Sequence, residues 1–336
     1  MAHPHTENLT PFAFEALHLI DEECGPLLVP IVKATFVIER GRCELAGTQV
    51  PLQLGGECFG ADLETSSYRY EPEVAFFKPA TDVVLIGQAY ARAPQTREMA
   101  VDIRVGALVK QLHVIGDRAW FESAGLPAIS TPLPFERMPL TYERAFGGWD
   151  RSDPDPARHA VERRNPVGTG FRQGGFEAGV RLPNVEDPRA RIRSPQDRPP
   201  PAGIGFTSPH WQPRLELAGT YDARWQRERA PLLPLNFDRS HFNAASTGLV
   251  AQGYLGGRET VSLVGMTSGG LLEFGLPGVG APRVHVVLQG GKDVQVPLAL
   301  DTVIIEPDEL RVMLLWRGHL RLPTGPHEVA EISVAS

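Results

Sequence analysis

Residues 236–241, Asn-Phe-Asp-Arg-Ser-His, include side-chain types that could ligate a metal ion. Asp238 and His241 lie in this segment, and Asp222 lies upstream of it. Carboxylates and imidazoles bind hard or borderline metals, and a bound metal can activate water for hydrolysis. A metal-assisted hydrolase using Asp222, Asp238 and His241 is therefore one hypothesis. The competing interpretation is that Asp238 caps a turn and His241 lies on a loop, because ligands must converge in space.

Familiar catalytic motifs are otherwise missing from the sequence. Walker A, H-E-x-x-H, G-x-S-x-G and C-x-x-C patterns have no match. The run from Gly168 to Gly174 has G-x-G-x-x-x-G spacing, which differs from the dinucleotide-binding fingerprint, and no βαβ pattern precedes it. The sequence therefore favours a protein that is not an enzyme and that uses neither a cofactor nor a metal.

Arginine and aromatic residues recur on segments rich in Pro and Gly, a combination that suits a protein-binding surface. Adjacent acid–arginine pairs such as Glu143–Arg144 and Asp117–Arg118 more often form structural ion pairs than catalytic groups. For any single tryptophan, packing in a core or loop is the simpler explanation. As a set, the candidates for partner binding are Arg118, Trp120, Tyr142, Arg144, Trp149, Arg164, Trp211, Arg214, Tyr221 and Trp225.

Composition restricts the class of protein. The 336 residues have a formal charge of −7, which argues against a general nucleic-acid binder, because such a protein needs a basic surface. Gly and Pro make up about 19% of the chain, against roughly 12% on average. That content is too high for a helical bundle, and 42% hydrophobic residues are too many for a disordered chain. A turn-rich, mainly β globular protein is predicted.

The sequence also predicts a cytoplasmic location. Its three cysteines, Cys24, Cys43 and Cys58, form no recognisable disulfide or metal framework, and a reducing compartment suits them. The N-terminal residues lack the basic and apolar regions of a signal peptide. No apolar run approaches the roughly 18 residues of a membrane helix, so membrane insertion is not expected.

Strand patterns dominate both ends of the chain. Residues 27–38 are rich in β-branched side chains, with Pro30 suggesting an edge or a bulge, and residues 45–54 suggest a second strand. Residues 99–115 alternate apolar and polar side chains around Gly106, which predicts a hairpin. The strongest helix candidate is Tyr221 to Arg229. We predict antiparallel sheets, in sandwich-like or barrel-like halves, with few short helices.

Three regions follow from these patterns. An N-terminal β region covers residues 1–121, a loop-rich region rich in Arg and aromatic residues covers 122–240, and a C-terminal β region covers 241–336, unless all three form one continuous fold. Within the middle region, residues 184–203 could be a linker. Because disordered chains are poor in aromatic residues, we favour an ordered middle region packed on the sheets.

Several short phrases occur in a fixed order along the chain. They are Val32-Lys-Ala-Thr-Phe36, Ser66-Ser-Tyr-Arg-Tyr70, Lys78-Pro-Ala-Thr-Asp-Val-Val84, Gly116-Asp-Arg-Ala-Trp120, Pro139-Leu-Thr-Tyr-Glu-Arg-Ala-Phe-Gly-Gly148, Arg164-Asn-Pro-Val-Gly-Thr-Gly-Phe171, Leu182-Pro-Asn184, Trp211-Gln-Pro-Arg214, Ala218-Gly-Thr-Tyr-Asp-Ala-Arg-Trp225 and Pro234-Leu-Asn-Phe-Asp238. Together they resemble the bacterial domain-of-unknown-function 2169 family over about residues 8 to 290. Asn236 stands where members often have Asp, which weakens the metal hypothesis further.

This resemblance implies a function in type VI secretion. Members of the family resemble adaptors or chaperones that hold a toxic effector and help load it onto the VgrG and PAAR spike proteins. The resemblance supplies no catalytic residue. It implies as partners an effector toxin and VgrG or PAAR. Besides the metal-assisted hydrolase, a structural component of the secreted spike stays open as an alternative.

Overall fold

The structure, a computed structural model, describes residues 4–336, and strands account for most of the regular secondary structure. The predicted mainly β fold is confirmed. In chain order the strands are β1 (His5–Asn8), β2 (Ala13–Ile20), β3 (Pro26–Glu39), β4 (Arg42–Leu45), β5 (Glu57–Cys58), β6 (Tyr68–Tyr70), β7 (Asp82–Leu85), β8 (Gln88–Tyr90), β9 (Glu98–Val105), β10 (Leu108–Ile115), β11 (Trp120–Ser123), β12 (Leu126–Ile129), β13 (Arg137–Pro139), β14 (Phe146–Gly147), β15 (Trp149–Asp150), β16 (Ala160–Val161), β17 (Thr169–Gly170), β18 (Val185–Glu186), β19 (Thr260–Val264), β20 (Leu271–Gly275), β21 (Arg283–Leu288), β22 (Asp293–Val296), β23 (Ala299–Glu306), β24 (Arg311–Arg317), β25 (Leu320–Arg321) and β26 (Val329–Ala335).

Helices are few and short among the described residues. The α-helices are α1 (Arg214–Leu217) and α2 (Ala223–Glu228), and 3₁₀ turns lie at Tyr142–Arg144, Pro156–Arg158, Arg239–Phe242, Pro307–Glu309 and Pro326–Glu328. The predicted helix at Tyr221 to Arg229 is confirmed as α2, with shorter bounds. None of these helices, over residues 4–336, has the length and apolar character needed to cross a membrane.

The largest sheet has seven strands and is built around β3. Its order is β2-β3-β24-β23-β7, with β4 and β25 also paired to β3. Neighbouring strands run antiparallel, except that β23 and β7 are parallel. Nearly every side chain of β3 is buried because both faces of the sheet are covered, and the buried stretch is apolar except for Lys33 and Thr35.

Two further sheets complete the scaffold. A five-stranded sheet has the order β18-β10-β9-β19-β20, and a four-stranded sheet has the order β1-β26-β21-β22. The predicted hairpin at 99–115 is confirmed as β9 and β10, which pair along their full length around Gly106. Gly106 has a positive φ of +55°, which few other residues tolerate in a tight turn.

One hydrophobic core contains residues from all three predicted regions, including Phe12, Ile204 and Val334. A smaller cluster combines Trp120 with Ile192, which lies in the segment proposed as a linker. That segment is packed against the five-stranded sheet, because β18 pairs with β10. The division at residues 121 and 240 stays a prediction.

Pro30 lies in a central strand, so the expectation of an edge strand is wrong. β3 pairs with β2 on one side and with β24 and β25 on the other. The carbonyl of Pro30 accepts from the amide of Gly318 at 3.1 Å, between the end of β24 and the start of β25. The missing N–H of Pro30 therefore faces an interruption in the ladder, which is where a sheet tolerates proline.

The prediction of a strand at 45–54 is also wrong, because β4 ends at Leu45. Beyond it, the side chain of Gln49 takes the place of a strand neighbour. Its Oε1 accepts from the amide of Thr35 at 2.7 Å, and its Nε2 donates to the carbonyl of Thr35 at 3.1 Å. A side chain thus satisfies backbone groups of β3 that a strand would otherwise pair.

Candidate functional site

A small pocket lies along an uncovered stretch of β10. Because β18 pairs only with His113 and Val114, residues 109–112 of β10 are left without a strand neighbour on that side. Loops of the middle region close over this stretch and leave a cavity of about 240 Å³. We call it the β10 pocket, and its principal lining residues are Lys110, Tyr142, Arg164, Gln212, Pro213 and Ser246.

Lys110 is the charged group that β10 places in this pocket. It lies on the same face of the strand as Leu108, Leu112 and Val114, so it occupies the row of β10 that otherwise packs on the core. Its Nζ donates to Ser246 Oγ at 2.6 Å and to the carbonyl of Thr247 at 2.7 Å. Burial lowers the pKa of Lys110 to about 8.

Tyr142 forms an aromatic wall of the β10 pocket. Its ring meets that of Trp211 edge to face, with the centroids 5.2 Å apart, and its hydroxyl lies 3.1 Å from Thr207 Oγ1. Burial raises the pKa of Tyr142, so the phenol stays neutral. Gly203 backs the ring so closely that a Cβ there would lie 2.4 Å from Cζ of Tyr142.

Two polar side chains complete the pocket. Arg164 is held by Glu162 through two parallel bonds, Nε to Oε1 at 2.8 Å and Nη2 to Oε2 at 2.6 Å. Gln212 follows Trp211, and its Oε1 is buried without a hydrogen-bond partner among residues 4–336. The structure thus brings Tyr142 and Arg164, both predicted from sequence, together with Lys110 and Gln212, which were not.

A second feature is a groove beside α2. Its volume is about 470 Å³, and its wall includes Trp225, Pro234 and Leu235. Leu235 is 82% exposed, and Tyr221, which meets Trp225 edge to face at 4.7 Å, is 53% exposed. We call Tyr221, Trp225, Leu235 and the groove between α2 and residues 234–236 the α2 groove. Several exposed apolar side chains along one groove, rather than a single one, are typical of a surface that contacts other molecules.

Four other residues predicted for partner binding are buried and engaged within the chain. Arg118 donates to Glu186 at 2.6 Å, and Trp120 packs edge to face on Phe176. Trp211 lies against Tyr142. Arg214 donates to Glu71 and to two backbone carbonyls. These four side chains stabilise the loops and present little surface to a partner.

Arg144 and Trp149 lie nearer the surface. Arg144 donates to Asn184 Oδ1 at 3.0 Å and also lies beside Asp117. Trp149 is 41% exposed, and the Arg151 guanidinium lies 5.1 Å from the centre of its ring. Neither residue lines the β10 pocket or the α2 groove.

Asp222, Asp238 and His241 each have a local role. Asp222 caps α2 by accepting from the amide of Trp225 at 2.8 Å, and Asp238 caps the following 3₁₀ turn by accepting from that of Ser240 at 2.8 Å. Nδ1 of His241 lies 3.0 Å from the carbonyl of Arg214. Over residues 4–336 no three His, Cys, Asp or Glu side chains are grouped so that they could hold a metal ion.

The sequence contained a signal for only one of the residues that were missed. Lys110 interrupts a row of apolar residues in a strand, and it is one of four lysines in the chain. Gln212 and Leu235 had no such signal, because their positions follow from how loops converge. Residue spacing does not reveal that convergence.

No curated protein and no solved structure matches the chain. The family described as "Uncharacterized protein conserved in bacteria (DUF2169)" matches residues 24–317. That match covers the large sheet except β2 and β25, and it includes the middle region, the β10 pocket and the α2 groove. The chain therefore belongs to the DUF2169 family of bacterial proteins.

Proposed function

We propose that the protein is a binding protein rather than an enzyme, an adaptor or chaperone for type VI secretion. In this proposal it holds an effector toxin in the cytoplasm and helps load it onto the VgrG or PAAR spike protein. The resemblance of its sequence phrases to adaptor-like members of the family supports this function. The observation that carries the proposal is the exposed apolar surface of the α2 groove.

The α2 groove has the composition of a protein-binding site. Tyr221 and Trp225 are residue types that dominate binding energy at interfaces, and Leu235 projects almost fully into solvent. Arg224 and Glu228 pair at 2.9 Å on the same helix and provide a polar rim. An apolar centre with a charged rim is the usual anatomy of a specific interface.

The groove is also held in shape by contacts at its base. Asn236 Oδ1 accepts from the amide of Thr220 at 3.0 Å, and Asn236 Nδ2 donates to Thr220 Oγ1 at 3.0 Å. Arg229 donates to the Glu23 carboxylate at 2.9 Å and so ties α2 to the turn between β2 and β3. A surface already ordered before binding loses less entropy when the partner docks.

The test is co-purification with type VI effectors and with VgrG and PAAR proteins encoded in the same genome. We expect the effector to co-purify with the wild-type chain, and Leu235→Asp together with Trp225→Ala to reduce recovery at least tenfold. Leu126→Asp is the matched control, because Leu126 is also a highly exposed leucine, at 68%, on the separate β11–β12 hairpin. It should leave recovery unchanged.

Secretion supplies the second readout. Deleting the gene should abolish export of the cognate effector, and the Leu126→Asp chain should restore it while the groove variant should not. The proposal fails if the wild-type chain binds neither partner and its deletion leaves effector export intact. Equal recovery with both variants would instead move the binding surface away from the α2 groove.

A further inference from the structure

Among residues 4–336, Lys110 in the β10 pocket has no carboxylate within ion-pairing distance; Asp187 also lines the pocket and attracts Lys110 from farther away, but the Asp187 carboxylate pairs with Arg189. The hydrogen-bond acceptors of Lys110 Nζ within residues 4–336 are a hydroxyl and a carbonyl, both neutral. The other two cations of the pocket are neutralised, since Arg164 pairs with Glu162 and Arg189 pairs with Asp187 through two bonds. An ammonium has three donors, so Lys110 retains one for a ligand.

Gln212 adds an acceptor to the same pocket. Its Oε1 is buried and receives no hydrogen bond from any residue in 4–336. Leaving a buried carbonyl oxygen without a donor is unfavourable, and a rotation of the Gln212 amide that turns Oε1 into the cavity would let a ligand N–H satisfy it. The pocket therefore offers a cationic donor and a neutral acceptor.

Part of the remaining wall is apolar, and the space is small. Tyr142, Pro200, Pro201 and Pro213 present ring surfaces to it. The volume of about 240 Å³ is below the roughly 300–1,000 Å³ of sites for drug-sized ligands. A single residue with a small or medium apolar side chain matches both the size and the lining.

We propose that the β10 pocket binds the C-terminal residue of a peptide. Its α-carboxylate accepts from Lys110 Nζ, its amide N–H donates to Gln212 Oε1, and its apolar side chain contacts Tyr142 and the prolines. Within a polypeptide, only the C-terminal residue combines a single negative charge, an amide N–H and an apolar side chain. This site is separate from the α2 groove, and the inference holds whether or not the protein is an adaptor.

The test measures the binding of small probe molecules to the full chain by ligand-observed NMR titration. N-acetyl-L-leucine carries all three features and should bind. N-acetyl-L-leucinamide lacks the charge and should bind at least tenfold more weakly, and 4-methylpentanoate lacks the N–H and should also bind more weakly. N-acetyl-L-glutamic acid α-amide carries the same single negative charge as N-acetyl-L-leucine, but on its side chain. It should therefore bind more weakly than N-acetyl-L-leucine.

Variants then assign the site. Lys110→Met should reduce the affinity for N-acetyl-L-leucine at least tenfold and remove the preference over the amide. Lys292→Met is the matched control, because Lys292 is an exposed lysine on the turn between β21 and β22. Gln212→Leu should weaken N-acetyl-L-leucine more than 4-methylpentanoate, since only the former has an N–H to lose.

Three results would overturn the inference. One is no binding of N-acetyl-L-leucine to the wild-type chain at millimolar concentration. Another is equal binding of the acid and the amide. Equal binding of the glutamic acid α-amide would overturn the chain-end assignment and identify the ligand as an internal acidic side chain. The wild-type comparisons decide the matter even if a variant fails to fold.

Discussion

Arg214 and Glu71 form a buried ion pair in which Nη1 donates to Oε1 at 2.6 Å. Arg214 also donates from Nη1 to the carbonyl of Thr207 at 2.5 Å and from Nε to that of His241 at 2.7 Å. One guanidinium therefore joins the start of α1, the loop before it, the 3₁₀ turn after α2 and the segment following β6. Burial raises the pKa of Glu71, and the charge of Arg214 opposes that effect.

Replacing Arg214 by methionine should be strongly destabilising. A buried carboxylate and two carbonyls would lose their donor, and breaking one side of a buried pair costs about 3–5 kcal/mol of unfolding free energy. Urea denaturation measures the loss. Arg224→Met is the control, since its pair with Glu228 is exposed and should contribute little to stability. Equal effects of the two substitutions would contradict this role for Arg214.

Trp211 and Trp149 should respond oppositely to truncation, although both were candidates for partner binding. Trp211 is buried against Tyr142, so Trp211→Ala should lower stability by about 3–5 kcal/mol. Trp149 is partly exposed, so Trp149→Ala should change the free energy of unfolding by less than about 1 kcal/mol. Thermal unfolding followed by circular dichroism tests the contrast, and a large loss with Trp149→Ala would show that its ring supports the fold.

Lys110 should make stability depend on pH in the alkaline range. Its pKa is lowered to about 8 by burial, from an ordinary 10.5, so between these values the unfolded chain binds more protons than the folded one. Stability contributed by this group is therefore lowest below pH 8 and rises as pH increases to 10.5. Lys110→Met removes this titrating group. Between pH 8 and 10.5, the free energy of unfolding of the wild type should therefore rise by up to ~3 kcal/mol relative to that of the variant.

Denaturation curves of both proteins at several pH values measure that gain, and other titrating groups cancel in the difference. Lys292→Met should follow the wild type, because its ammonium lies on an exposed turn. A constant difference between wild type and Lys110→Met would show that Lys110 is well solvated.

Gly203 should be intolerant of a side chain. A methyl group there would lie 2.4 Å from Tyr142 Cζ, and Trp211 restricts the ring on another side. Gly203→Ala should therefore cost about 1–3 kcal/mol by overpacking and should alter the tyrosine environment in near-ultraviolet circular dichroism. Gly205→Ala is the matched control two residues away, where a Cβ meets no atom within 4 Å. Similar stability of the two variants would contradict the close packing.

Sequence patterns predicted the elements that depend on local order. The β9–β10 hairpin was predictable because alternation and Gly106 both act within a few residues. The strand at 45–54 was not, because the Gln49 side chain replaces backbone pairing there. Neither residue propensity nor periodicity indicates that a side chain will bond to a strand's backbone in place of another strand.

The candidate site was predictable only in part, and the reason is distance along the chain. Tyr142 and Trp211 were chosen for residue type, yet their contact depends on a long loop-rich segment folding back. Residue type suggested that both bind a partner, whereas their mutual packing buries Trp211. Lys110 and Gln212 come from a strand and a distant loop, so only the folded chain shows that they line one cavity.

The seven-stranded sheet sets an order for biosynthesis. β2 and β3 are translated early, but β24, which pairs with β3 on the side opposite β2, emerges only with residues 311–317. On the ribosome, the long apolar β3 therefore waits for most of the protein to be translated before its neighbour arrives. Such a nascent chain exposes an unpaired strand edge for an extended time, which makes it a substrate for general folding factors and sensitive to translation speed.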